Sequence, residues 1–303
     1  MARFIYSNGY YCDIGAHIFA TVKFRMVHDR LVRAGLVKQE EFITPRPATW
    51  EEIQRVHTRE YVGDLIECRH THRTISTELP ISKRIVESFV LGAGGTVLAG
   101  RTAVQERTGA MNLAGGFHHA MPDWGEGFCY INDVALCVKV LKSDGLIDKA
   151  AIIDCDLHQG NGTAVIFQDD PSVFTFSIHQ QNNYPYKRKG DLDVGLPDGV
   201  GDEEYLAQLE DHIPKILEVH GPEFVLYVAG ADPFELDQLG GLRLSKQGLR
   251  RRDDLVIGEC AVRGIPLAVT LAGGYAPDIN DTVDIHFNTS SSLIDHSDAY
   301  NRQ

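Results

Sequence analysis

The sequence predicts an α/β protein built on a mainly parallel sheet with helices on both faces. Three observations carry that prediction. The stretches Ala150 to Asp154, Val173 to Ile178, Phe224 to Ala229 and Leu267 to Leu271 are apolar without strict polar alternation, as strands buried on both faces are. Helical stretches such as Glu203 to His220 and Ser245 to Arg263 separate them, the arrangement of parallel strands joined by crossovers. Polar clusters fall repeatedly just after the apolar strands, and in open sheets of this kind sites lie beyond the carboxyl ends of the strands.

In chain order, Arg3 to Ser7 reads as a short strand. Ile18 to Ala34 carries Phe19, Val22, Met26 and Val27 at helical spacing and ends at Gly35. His17, Lys23, Arg25 and His28 read as surface or helix-end charges of that element. Thr44 to Tyr61 contains Pro45 and Pro47, then a short helix with Trp50, Ile53 and Val56, and a loop runs from Arg69 to Pro80. Ser82 caps a long helix whose Gly92, Ala93, Gly94 and Gly95 admit another element closely. That run lacks the preceding strand and the spacing of a dinucleotide fingerprint, so it is packing. Ala110 to Leu113 reads as a buried strand leading into GGFHHAMPDWGEGFCYIND, after which Asn132 caps a helix with Val134, Cys137, Val138 and Leu141 on one stripe. A single domain over residues 1–283 is expected, with 284–303 a loosely held polar tail.

Composition narrows the function. In 303 residues, 42 acidic side chains face 29 basic ones, a net charge of −13, which argues against direct nucleic-acid binding and against an anionic membrane surface. A cationic substrate stays compatible. The six cysteines form no CxxC pair and mostly sit in apolar runs, as reduced core thiols do. Met1 to Ala20 lacks a charged start followed by an apolar core, and no apolar run is long enough to span a bilayer. A soluble cytoplasmic protein is expected, its oligomeric state left open.

The richest chemistry lies in AIIDCDLHQGNGT, Ala151 to Thr163. In an extended backbone Asp154, Asp156 and His158 project together while Cys155 and Leu157 point the other way. Carboxylates and an imidazole suit a divalent cation such as zinc, whose catalytic sites take three protein ligands and leave one position open, so a further ligand must come from elsewhere. From this stretch alone the alternative stands level: both aspartates cap a helix starting near Gly160, and His158 is a loop histidine. Three other post-strand segments offer partners, namely His118 with His119, Asp232 in AGADP, and Tyr275 in LAGGYA.

Read together, GGFHHA, GFCYIND, DCDLHQGNGT, FSIH, AGADP and LAGGY resemble the histone deacetylase superfamily, which includes acetylpolyamine amidohydrolases and bacterial deacylases. The resemblance extends from about Tyr6 to Tyr275 and is closer to class IV and bacterial members than to class I. It implies an arginase/deacetylase-like three-layer α/β sandwich. By motif it implies one zinc per chain on Asp156, His158 and Asp232, with His118 and His119 beside the activated water and Tyr275 facing the substrate carbonyl. Asp154 would orient His118 and Asn161 would orient His119, where class I places an aspartate. A neutral amide supports an imidazolium less than a carboxylate does, which makes His119 the base that starts neutral. The backbone around Asp154, Asp156, His158, Ser177 and Ile178 matches a monovalent-cation site in relatives, which makes potassium a candidate ion, and Phe167, Val173 and Tyr205 match part of a second such site more weakly.

Gly127 and Phe128 match one wall of a tunnel for an acyl-lysine stem, with Pro185 or Tyr186 from the loop Asn182 to Gly190 opposite, and Gly273 and Gly274 are assigned to the same tunnel. Lys187, Arg188 and Lys189 read as a solvated loop, with an acidic substrate part as the rival reading; Arg250 to Arg252 with Asp253 and Asp254 read as a solvated helix face. The activity so implied is removal of acetyl or longer acyl groups from the Nε of lysine in a peptide or protein. The nearest alternative is an acetylpolyamine or another small acylated amine. A non-catalytic metal-binding acyl-lysine reader and an arginase-like hydrolase with paired manganese are the alternatives of other classes; the second would want more ligands than are visible.

Overall fold

The computed structural model describes residues 1–302. Its strands are β1 (Arg3–Ile5), β2 (Phe42–Ile43), β3 (Gly109–Asn112), β4 (Ala150–Asp154), β5 (Val173–Gln180), β6 (Leu192–Leu196), β7 (Phe224–Val228) and β8 (Leu267–Thr270). Its helices are α1 (Val22–Arg33), α2 (Trp50–Ile53), α3 (Arg59–Ile66), α4 (His72–Ile75), α5 (Lys83–Glu106), α6 (Asp133–Ser143), α7 (Asn161–Phe167), α8 (Asp202–His220), α9 (Lys246–Val262) and α10 (Ile279–Asp295). The 8-stranded sheet runs in the order β2-β1-β3-β8-β7-β4-β5-β6, and every pairing is parallel. All described residues of β3, β4, β7 and β8 are buried, as their unbroken apolar runs predict.

Helices cover both faces. α5 packs against α6, β1, β3 and β8, while α8, α9, α10 and α1 pack in succession as the other layer. Capping follows the sequence: Ser82, Asn132 and Ser245 side chains accept from the backbone N–H of Ile85, Ala135 and Gly248. The glycines of α5 are spacers. A Cβ at Gly94 would stand 2.0 Å from Arg46 O, and one at Gly95 would stand 2.1 Å from Tyr10 Oη. No helix among the described residues is long and apolar enough to cross a membrane, and Cys12, Cys68, Cys129, Cys137, Cys155 and Cys260 are free thiols.

Three expectations are corrected. Residues 284–295 are not a loose tail but most of α10, which packs on α1 and α9 and buries Ile285, His286, Thr289, Ser290 and Leu293. Two of its buried hydroxyls are satisfied within the helix: those of Thr289 and Ser290 donate to the carbonyls of Ile285 and His286. Arg252 and Asp253 do not lie on a solvated face; both side chains are 0% exposed and paired at 2.8 Å. Lys23 and His28 also face inward, because α1 is gripped between α10 and the loop after β1.

Candidate active site

Each segment of the site begins where a central strand runs out. His118 and His119 follow β3, Asp156 and His158 follow β4, Asp232 follows β7, and Tyr275 follows β8. Strands β3, β8, β7 and β4 are consecutive across the sheet, so segments far apart in sequence share one rim.

Asp156, His158 and Asp232 each present a buried donor atom, all within 4.8 Å of one another. His158 Nδ1 stands 3.3 Å from Asp156 Oδ1 and 3.1 Å from Asp232 Oδ2. One ring nitrogen carries at most one hydrogen, so it cannot serve two carboxylates well. Four-coordinate zinc with bonds of about 2.0 to 2.1 Å spaces its ligand atoms roughly 3.3 Å apart, and the donor set fits that spacing. Backbone N–H groups aim the carboxylates: Gly273 donates to Asp156 Oδ2 and Leu157 to Asp232 Oδ1, each at 2.9 Å. The approach demands glycine, since a Cβ at Gly273 would lie 2.2 Å from Asp232 Oδ2. Burial opposes charge on His158, yet its bonds to Asp156 and Asp232 push its pKa up to about 10. Burial and the Asp156 charge push the Asp232 carboxyl up to about 6. Both shifts have one origin: two buried carboxylates that require positive charge between them.

The tandem histidines differ in their support. His118 Nδ1 lies 2.6 Å from Asp154 Oδ2, and His119 Nδ1 lies 2.7 Å from Asn161 Oδ1. Burial opposes a charge on His118, but Asp154 and Asp156 outweigh it and push its pKa up to about 9. Burial holds His119 well below its ordinary value, and the positive charges of His118 and His158 add to the effect. The surroundings therefore favour charge on His118 and the neutral form of His119. An amide oxygen only accepts, so the His119 proton sits on Nδ1 and its lone pair on Nε2.

These groups open into a cavity of about 250 Å³ lined by Glu78, His119, Gly127, Phe128, His158, Asn183, Tyr184, Leu239 and Tyr275. Gly127 and Phe128 both adopt left-handed backbone, φ 52° and 63°, a strained turn that sets the Phe128 ring edge-on to Tyr275 at 5.8 Å. The opposite wall is Tyr184, whose ring stands 5.3 Å from that of His119. Neither Pro185 nor Tyr186 supplies it: Tyr186 is 81% exposed, and Pro185 is buried away from the cavity. Gly273 and Gly274 do not line the cavity: Gly273 lies against the Asp156 and Asp232 carboxylates and Gly274 against Thr282 and Ala231. Lys187 braces its own loop by donating to Asn183 O at 2.9 Å. Ser177 pairs directly with Asp154 across β4 and β5, and Ile178 is the next residue of β5. Phe167, Val173 and Tyr205 are buried core side chains.

Some supporting residues escaped the sequence reading. Lys23 is fully buried with Nζ donating to Ala272 O at 2.7 Å, and burial brings its pKa down to about 8 although Asp232, Asp156 and Asp237 oppose the fall. Arg252 Nη1 donates to Gly230 O at 2.6 Å and Cys155 O at 3.2 Å, bracing the chain just before Asp232 and Asp156. Helical periodicity treats such charges as outward, and nothing else in the sequence marks them.

Comparison with known proteins accords with this geometry. Residues 17–289 match the histone deacetylase domain. An uncharacterized protein of Picosynechococcus sp. is 40% identical over 274 residues, covering 89% of this chain and 90% of its own length. Histone deacetylase 2 of Arabidopsis thaliana is 31% identical over 289 residues, covering 89% of this chain and 74% of its own. Among solved structures, the HDA15 HD domain superposes with a TM-score of 0.82 at 24% identity, covering 96% of this chain and 88% of that one, which identifies the fold. With the family model spanning nearly the whole fold, the chain belongs to the histone deacetylase family, hydrolases of amide bonds.

Proposed function

We propose that the protein is a zinc-dependent amidohydrolase that removes acetyl or longer acyl groups from the Nε of lysine in peptides or proteins. The observation that carries this reading is the meeting of His119, His158 and Tyr275 at the buried end of a cavity walled by Phe128 and Tyr184. When bound by Asp156, His158 and Asp232, zinc supplies Lewis acidity toward the amide carbonyl and lowers the pKa of a water. His119, neutral with its lone pair on Nε2, accepts that water's proton. His118, held positive by Asp154 and Asp156, returns a proton to the departing amine. Tyr275 O–H donates to the oxygen on which negative charge develops. Burial and the charges of Asp232 and Asp156 hold the phenol well above its ordinary pKa, so it stays a donor. The Phe128 and Tyr184 rings flank the methylenes of a lysine stem. No covalent acyl-enzyme forms. The reading includes a potassium site at the backbone of Asp154, Asp156, His158, Ser177 and Ile178, supported by the pairing of Asp154 with Ser177.

One observation favours a second reading, a small acylated amine as substrate. Exposed Glu78 puts a carboxylate on the cavity lining, which suits a further ammonium group on a polyamine. The deciding experiment is a panel of lysine peptides and polyamines bearing acyl chains of increasing length, assayed after zinc loading, with a hydroxamate as chelating inhibitor. Turnover of peptides blocked by the hydroxamate supports the lysine reading. Turnover of polyamines alone supports the second, and peptide binding without any turnover supports an acyl-lysine reader.

A further inference from the structure

Behind the proposed base lies a second hydrogen bond that decides the first. Asn161 meets His119 Nδ1 through Oδ1 at 2.7 Å and donates from Nδ2 to Glu126 Oε1 at 2.9 Å. An amide can present either its oxygen or its nitrogen to an imidazole. The Glu126 carboxylate, which only accepts, turns the nitrogen outward and the oxygen toward His119. The ring proton is thereby pinned on Nδ1 and the lone pair on Nε2.

Glu126 is itself fixed. Trp124 Nε1 donates to Oε2 at 2.9 Å and the Tyr184 hydroxyl to Oε1 at 3.3 Å. Its backbone closes a turn with Cys129, the N–H of each donating to the carbonyl of the other at 3.1 and 2.9 Å, and that turn carries Gly127 and Phe128. One carboxylate thus connects the base to both walls of the cavity. His118 meets Asp154 directly, whereas on the Nδ1 side of His119 the negative charge stands one amide further out.

We propose that Glu126 is a positioning residue for His119: through Asn161 it fixes the tautomer and aim of the ring, and through Tyr184 it couples that aim to the wall against which the substrate stem lies. The assignment rests on the reading of His119 as the base.

The test compares zinc-loaded wild type, Glu126→Gln, Glu126→Ala, Asn161→Asp and the double variant Asn161→Asp/Glu126→Gln. The readouts are kcat, KM, zinc content, Tm and the ¹⁵N shifts of the His119 ring. Glu126→Gln keeps the volume and removes the charge. It lowers kcat by about tenfold or more, the range of residues that orient a ligand or base, with KM and zinc content unchanged. The His119 ¹⁵N signals move from the pure Nδ1–H form toward a mixture of tautomers, and Glu126→Ala moves them further. Asn161→Asp alone sets two carboxylates in contact and loses activity as well. Adding Glu126→Gln lets the introduced amide donate to the introduced carboxylate, so the double variant exceeds both single variants in kcat. Unchanged ring shifts in Glu126→Gln, or a double variant no better than either single one, overturn the proposal. The ring shifts need no turnover, so a wild type inert toward every acylated amine refutes the amidohydrolase reading separately.

Discussion

Replacing Tyr275 by Phe removes one hydroxyl from a residue that is held by other atoms. Its backbone N–H donates to Asp237 Oδ2 at 2.6 Å, its carbonyl accepts from Gln238 Nε2 at 2.7 Å, and its ring meets Phe128 edge-on. None of these contacts uses the phenol oxygen, so the ring stays in place and stability changes by less than about 1 kcal/mol. In the proposed mechanism what disappears is a donor to the developing negative oxygen, of a kind whose removal costs roughly 100- to 1,000-fold in kcat, or about 2.7 to 4 kcal/mol. The Phe128 and Tyr184 walls, proposed to flank a lysine stem, are intact, so KM moves little. The assay is steady-state turnover of an acetyl-lysine peptide by wild type and Tyr275→Phe at matched zinc content and matched Tm. A kcat within about threefold of wild type at full zinc occupancy removes the phenol from the mechanism. A fall that tracks zinc loss would instead assign Tyr275 to the ion site.

Three further outcomes are expected. Asp232→Ala loses stoichiometric zinc by elemental analysis and no longer gains Tm on zinc addition, whereas wild type gains about 2.7 kcal/mol at a hundredfold excess over Kd; equal gains in both would refute the ligand assignment. Arg252→Met leaves Asp253 buried without its partner at 2.8 Å, and urea unfolding should show a loss of about 3 to 5 kcal/mol, largely recovered when Asp253 is also replaced by Asn. His57 accepts from the Asn132 N–H through Nε2 at 3.0 Å and bonds Met121 O through Nδ1 at 2.9 Å, and burial lowers its pKa from 6.5 to about 4. A base whose folded pKa lies below its unfolded value adds stability above the unfolded pKa and loses it as pH falls. The unfolding free energy should therefore drop between pH 6.5 and about 4, by at most about 3 kcal/mol from this group, and His57→Phe should flatten that slope. Identical slopes in the two proteins would refute the assignment.

The site was legible because parallel sheets place function where apolar strands give way to polar residues. Asp156, His158, Asp232, His118, His119 and Tyr275 each follow a buried strand, and the buried runs of β3, β4, β7 and β8 are visible as uninterrupted hydrophobicity. Edge strands lack that mark. β6 alternates exposed and partly buried residues over LDVGL and was missed, as was the two-residue β2. The wall residue was misassigned within one loop because aromatic character alone does not say which of Tyr184, Pro185 and Tyr186 turns inward. α10 and the Arg252–Asp253 pair were misread for a common reason: their polar groups are buried against specific partners, such as Thr289 Oγ1 on Asp253 Oδ2 at 2.6 Å. Periodicity counts polarity as exposure, and only three-dimensional pairing overrides it.

β8 comes last among the strands in the chain but sits fourth across the sheet, in the slot between β3 and β7. While residues 267–270 are still within the ribosome, that slot is empty and two apolar strand edges face it, open to unwanted pairing. The proposed ion ligands all belong to the β4 and β7 side of the slot, and the tandem histidines to the β3 side. The arrival of β8 brings Gly273, whose N–H aims Asp156, with Tyr275 close behind, so the sheet, the ion site and the phenol are completed in one step.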